Sequence, residues 1–125
     1  SPGTHGSTFA GNPLAASAAL ATLDVIEREG LIANAEARGE QLRQGIMASD
    51  NPLFEYVRGR GLLNAIQLTH QCAHAAMDWA LEHGLIVNAV APDALRLAPP
   101  LIVSERDVDE AVAILAAVPN DLPND

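Results

Sequence analysis

Two short β-prone runs, "FEYVRGRG" and "LLNAIQL", follow one another directly, and this part of the sequence leaves the fold fewest options. In the second run Asn64, Ile66 and Leu68 share one face, and Leu63 and Ala65 share the other. Arg58-Gly59-Arg60-Gly61 between the runs reads as a tight antiparallel connection. A sheet begun this way needs helices to cover its apolar side, and the remaining sequence supplies them.

Asn12-Pro13 pairs a capping residue with a proline at the first helical position, and Gly30 marks a stop, so a helix is expected over 13–29. The alanine-rich stretch "LAASAALATLDVIERE" supports it through high helix propensity. A second helix is expected over 31–48, with Ala35, Gly39, Leu42 and Ile46 on one stripe and the turn "SDNP" at its end. A third, over 72–83, is expected to bury Ala73, Ala76, Met77, Ala80 and Leu81, with Gly84 closing it. "LIVNAV" and "ALRLA" read as two further strands separated by "APD". Ser104 and Asp107 form a capping-box-like start for a last helix whose apolar side carries Val108, Ala111, Val112 and Leu115. The tail "PNDLPND" is expected to fray. The fold class is therefore α+β, a small, mostly antiparallel sheet flanked by helices.

The chain has 125 residues, 49% of them hydrophobic, enough for one compact domain and too few for two ordinary ones. A formal net charge of -9 disfavours nucleic acid and anionic membranes as partners, because such binding needs clustered cations. No apolar run approaches the roughly 20 residues that span a bilayer, and the first residues lack a signal-peptide layout, so a cytoplasmic location is expected. The single cysteine, Cys72, cannot form an internal disulfide and fits a reducing compartment. All seven Lys and Arg positions are arginine, namely Arg28, Arg38, Arg43, Arg58, Arg60, Arg96 and Arg106. The chain has no lysine, and so no amine for covalent carbonyl chemistry.

Two stretches carry candidate chemistry. In "HGSTFAGNP", Ser7 and Thr8 offer hydroxyls, Gly6 and Gly11 permit close backbone approach, and a helix N-terminus follows, a set of donors suited to an anion. The plain alternative is an ordinary glycine-rich loop leading into a capped helix. In "ALRLAPPL", Arg96 lies within an apolar strand halted by two prolines, where a guanidinium could clamp a carboxylate in a bidentate fork. The alternative is an arginine on the solvent face of an edge strand. His70, Cys72 and His74 alternate but lack a fourth ligand nearby, and they read as surface and capping residues with no metal assigned. Trp79 reads as a secondary contact. Glu105, Asp107, Asp109 and Glu110 read as a solvated helix start.

Taken together, "PGTHGSTFAGNPLAASAALATLDVI", "VRGRGLL" and "GLIVNAVAPDALRLAPPLIVSERDVDEAV" resemble the C-terminal part of class-III, fold-type-I pyridoxal-phosphate aminotransferases. The acetylornithine branch of that family is the most similar, with the ornithine, succinylornithine and 4-aminobutyrate branches beside it. The resemblance implies a homodimeric parent in which residues 1–12 form an inter-subunit loop and residues 13–125 form the small C-terminal domain with its leading helix. The large cofactor-binding domain is absent. Thr8 matches the threonine that binds the phosphate of pyridoxal 5'-phosphate in the partner subunit, Ser7 lies beside it near the substrate, and Arg96 matches the arginine that binds a substrate carboxylate.

The implied substrates are N-acetylornithine, whose δ-amino group is moved, and 2-oxoglutarate, which receives it, in arginine biosynthesis. The family's cofactor-bearing lysine lies upstream, so no catalytic residue is expected within these 125 residues and the chain alone is expected to be inert. The other reading is a natural lysine-free module that binds a carboxylate or phosphate ligand, or pairs with a full-length subunit. Three residues, at two places in the chain, depart from the family pattern. Ala10 stands where a second glycine is usual, and Asn64-Ala65 stands where Leu-Gly is common, which predicts an amide facing solvent or a neighbouring domain.

Overall fold

The computed structural model describes Gly3 and residues 6–125. Its elements follow in the order α1 (Pro13–Arg28), α2 (Leu31–Ala48), β1 (Phe54–Arg60), β2 (Leu63–Leu68), α3 (Ala73–Glu82), β3 (Asn88–Ala91), β4 (Ala94–Leu97) and α4 (Glu105–Ala116). They cluster into two compact units, Ser1–Ile32 and Ala33–Asp125.

In the first unit, α1 begins where the sequence places its signals. The Asn12 side chain accepts from the Ala15 amide at 2.9 Å, and Pro13 takes the position where a missing N–H costs nothing. Gly30, at φ 62°, donates to the Glu27 carbonyl and ends the helix in a backbone conformation that glycine adopts freely. No residue of α1 is buried, and Leu14, Leu20 and Leu23 are exposed.

The second unit is built on a four-stranded sheet in the order β1-β2-β4-β3, with every pairing antiparallel. Strand alternation divides the residues cleanly between its two faces. One cross-strand row runs Val57, Ile66, Leu95, Ala89, and it joins the same apolar cluster as Leu42 and Ile46 of α2, Ala73, Ala76 and Ala80 of α3, and Val108 and Leu115 of α4. The adjacent row, Arg58, Ala65, Arg96, Asn88, faces away from that core. The expected stripes on α2 and α4 take part in the core, whereas Leu81 on α3, expected to be buried, is exposed.

Arg58 to Arg60 belong to β1 itself, and the chain turns at Gly61 and Leu62, slightly later than the sequence suggested. Gly61, at φ 53°, presses against α2 so closely that a Cβ at Gly39 would overlap the Gly61 carbonyl. That carbonyl accepts from Arg43 Nη1 at 3.2 Å and from Asn64 Nδ2 at 2.9 Å, while Asn64 Oδ1 accepts from Arg43 Nη1 at 3.0 Å. Asn64 therefore faces neither solvent nor a neighbouring domain, but is buried at 2% exposure. Its amide is tolerated there because both of its polar atoms find partners. Arg43 is held in turn by Glu40 at 2.7 Å, and Arg43 and Gln44 keep the Glu40 carboxyl below its ordinary pKa.

The tail is docked, not frayed. The Asp125 carboxylate accepts from the His74 amide at 2.9 Å, the Ala75 amide at 3.2 Å and His74 Nδ1 at 2.9 Å, and so caps the start of α3. His70 Nε2 lies 3.1 Å from the Leu122 carbonyl, and the Asp125 amide donates to Gln71 at 2.8 Å. The His74 backbone bond, aided by its side chain and the Ala75 amide, holds the Asp125 carboxyl below the usual aspartate range despite some desolvation.

Two consequences can be measured. Gly39→Ala should destabilise the chain by about 1–3 kcal/mol, because the added methyl has no space to enter, and it should lower the thermal midpoint; an unchanged midpoint would refute the close contact. A depressed aspartate stabilises at pH above its unfolded value and loses that contribution as pH falls through the folded one. The His74 and Ala75 amide resonances should thus shift together at a pH below the ordinary aspartate midpoint, and Asp125→Asn should abolish the shift. A midpoint at the ordinary value would mean the tail is not locked.

Candidate functional site

Arg96 stands between Leu95 and Leu97, which are 0% and 6% exposed, so the pleat sends its side chain to the opposite, open face. β4 is an interior strand, paired with β2 on one side and β3 on the other, so the edge-strand alternative does not apply. Ala65 is its cross-strand neighbour on β2 and Asn88 on β3. Arg96 Nη2 donates to Asn88 Oδ1 at 3.2 Å, and among the described residues Arg96 forms no ion pair.

Beyond the end of β4 lies a cavity of about 420 Å³, walled mainly by Leu97 to Pro100, Leu85, Ile86 and the Val108, Ala111 and Leu115 side of α4. Its charged lining residues are Arg96 and Asp107. Asp107 is already committed, because its carboxylate accepts from the Ser104 amide at 2.9 Å and the Ser104 hydroxyl at 2.7 Å. Those bonds, the hydroxyl's first, keep its carboxyl ionised to lower pH than usual. The Ser104 hydroxyl also accepts from the Asp107 amide at 3.2 Å, completing the expected capping box. An apolar cavity with one cation at its rim that forms no ion pair among the described residues suits an anion carried on an aliphatic stem.

Ser7 and Thr8 belong to the other unit, in the turns that lead into α1, and both are exposed. The Ala10 amide donates to Ser7 and the Asn12 amide to Phe9, each at 3.3 Å, while Asn12 Nδ2 donates to Phe9 at 2.8 Å. Asn12 itself supplies the acceptor for the Ala15 amide at the start of α1, and the exposed hydroxyls of Ser7 and Thr8 are donors the loop could offer a phosphate. His5 of the same motif lies outside the described residues.

The other candidates separate. Cys72 is buried at the start of α3, with burial and the nearby Asp125 raising its thiol pKa, while His70 and His74 hold the tail. Among the described residues no three His, Cys, Asp or Glu side chains gather to hold a metal ion. Trp79 stacks on His83 with ring centroids 3.7 Å apart. Glu105 pairs with Arg38 at 3.2 Å, and Asp109 accepts from Gln41 at 2.7 Å. Residue-by-residue reading missed Asn88, and the two-residue turn at Pro92-Asp93 would not have found it: counted back from Ala91 opposite Ala94 that turn sets Ala89 opposite Arg96, and a bulge between Ala89 and Ala91 brings Asn88 there instead.

Residues 1–118 match the family described as Aminotransferase class-III, and the chain belongs to that family. It is 73% identical over 124 residues to an acetylornithine aminotransferase of Bifidobacterium longum, covering 99% of this chain and 29% of that protein. An acetylornithine aminotransferase of Mycobacterium tuberculosis is 53% identical over 117 residues, covering 94% of this chain and 29% of the relative. Among solved structures, an acetylornithine aminotransferase from Elizabethkingia anophelis superposes with a TM-score of 0.85 at 38% identity, covering 94% of this chain and 32% of that one. The chain thus spans about 29% of the length of these curated relatives. The antiparallel sheet and its helices are a partial domain of the aminotransferase fold. No helix among the described residues is long and apolar enough to cross a membrane.

Proposed function

We propose that this chain is the C-terminal part of an acetylornithine aminotransferase, a cytoplasmic homodimer that moves the δ-amino group of N-acetylornithine to 2-oxoglutarate in arginine biosynthesis. The observation that carries this reading is the 73% identity across nearly the whole chain to a relative of that name. In this assignment residues 1–12 form the inter-subunit loop, residues 13–125 the small domain, and the large domain lies elsewhere in the complete polypeptide.

Pyridoxal 5'-phosphate, when bound, supplies the carbonyl chemistry that takes up and releases the amino group. This chain contributes binding and orientation. Thr8 donates its hydroxyl to the cofactor phosphate of the partner subunit, and Ser7 beside it faces the substrate. Arg96 receives a substrate carboxylate, its charge uncancelled by any described acidic side chain and its position fixed within an interior strand. With no lysine, and with arginine remaining protonated at neutral pH, the chain by itself has no amine to serve the reaction and is inert.

The complete polypeptide should transaminate N-acetylornithine with 2-oxoglutarate, and Arg96→Lys should raise the KM for a carboxylate substrate at least about tenfold through loss of the planar fork. Turnover of neither substrate, or a KM unaltered by Arg96→Lys, would remove the corresponding part of this reading. Thr8→Ala should speed cofactor loss from the dimer, followed by the cofactor's absorbance on dilution, without altering the fold by circular dichroism. Equal loss rates would return Thr8 to a plain loop residue.

A further inference from the structure

Arg96 is a long, flexible cation at the rim of an apolar cavity, and its orientation depends on what surrounds it on the open face. On the β2 side its neighbour is Ala65, which brings a methyl group and no acceptor. On the β3 side its neighbour is Asn88, whose Oδ1 takes the bond from Nη2 at 3.2 Å. The cavity's acidic residue, Asp107, is spent on the α4 cap. A neutral amide is thus the side-chain acceptor that holds Arg96 among the described residues.

We propose that Asn88 is a positioning residue for Arg96, orienting its guanidinium at the cavity rim with a neutral acceptor so that its charge remains available to a substrate carboxylate. This rests on the carboxylate-binding reading of Arg96 given above. A carboxylate at position 88 would form an ion pair and compete with the substrate, and an apolar side chain would leave the guanidinium free among rotamers whose ordering is then charged to binding. One of the five guanidinium N–H groups is used and the others stay available.

The placement is built in. Asn88 opens β3, a two-residue turn at Pro92-Asp93 sets Ala91 opposite Ala94, and a bulge between Ala89 and Ala91 then shifts the register by one residue, which brings Asn88 opposite Arg96 where unbroken pairing would have met Leu97. The turn is pinned from outside the hairpin. Asp93 O accepts from the Leu68 amide at 2.8 Å and Gln67 Nε2 at 3.0 Å, and Pro92 O accepts from the Ala73 amide at 2.9 Å.

The test is steady-state kinetics of the complete polypeptide with 2-oxoglutarate as the varied carboxylate. Asn88→Ala should raise its KM about three- to tenfold, the loss of one hydrogen bond, with kcat within about twofold. Asn88→Asp keeps the shape and the acceptor but adds a charge, and should raise KM further than Asn88→Ala. An asparagine needed only for shape would give the reverse order, and that order overturns the proposal. Arg96→Ala sets the ceiling, and Asn88→Ala added to it should have no further effect on KM. If Arg96→Ala raises KM while Asn88→Ala does not, the positioning role fails and the carboxylate reading survives. If Arg96→Ala leaves KM unchanged, the carboxylate reading fails and this proposal falls with it.

Discussion

The carbonyl of Gly61 is where α2 and the first hairpin meet, and the sheet takes its position from that contact. Gly39 offers a surface without a side chain, so the turn can press directly against the helix. Arg43 and Asn64 then both donate to the same oxygen, converting a close approach into a fixed one. This couples the burial of an amide to the fold. Asn64 lies in the middle of the unit, where an unpartnered amide would cost about 1–3 kcal/mol, and it avoids that cost because the turn and α2 meet its needs. With β2 anchored, β4 pairs to it with Ile66 opposite Leu95 and Ala65 opposite Arg96. The pleat then decides the rest: the first pair enters the core and the second faces away from it.

Much of this was legible because the signals were local. The Asn12-Pro13 start, the Gly30 stop, the Ser104-Asp107 box and the alternation along β2 each lie within a few residues of the structure they specify. What escaped the reading was set by partners far along the chain. Asn64 reads as polar and hence outward until Arg43, 21 residues earlier, is known to reach it. The tail reads as frayed until Asp125 is seen to cap a helix 51 residues away. Leu81 failed for a different reason. Helical periodicity marks the apolar stripe of α3, but the width of the buried stripe depends on what packs against it.

The candidate site shows the same division. Arg96 stands out because a permanent cation between two buried leucines is expensive unless the strand can turn it to the other face. The sequence left open whether that face belonged to an edge strand; the β1-β2-β4-β3 order shows an interior strand flanked on both sides. An interior strand holds the Cα of Arg96 by two ladders, leaving only the side chain to be positioned. The family resemblance, which the 118 matched residues bear out, gave Arg96 a role before its surroundings were known. It said nothing of Asn88.

Electrostatics explains why the neighbour of Arg96 should be neutral in this chain in particular. The sequence carries 16 acidic residues against seven arginines, so acidic side chains are in excess. Arg28, Arg38 and Arg43 each have one within 4 Å. On the open face Arg58 donates to Gln67 at 3.0 Å and Arg96 to Asn88 at 3.2 Å, an amide acceptor in both cases. Amides fix a guanidinium in direction without cancelling its field, and an apolar cavity wall weakens that field less than water would. Two arginines in one cross-strand row, flanking the small Ala65 and each held by a neutral partner, keep this face cationic on a molecule whose net charge is -9. An anion approaching the chain meets net repulsion from the molecule as a whole and local attraction at this row, where Arg96 lies at the cavity rim.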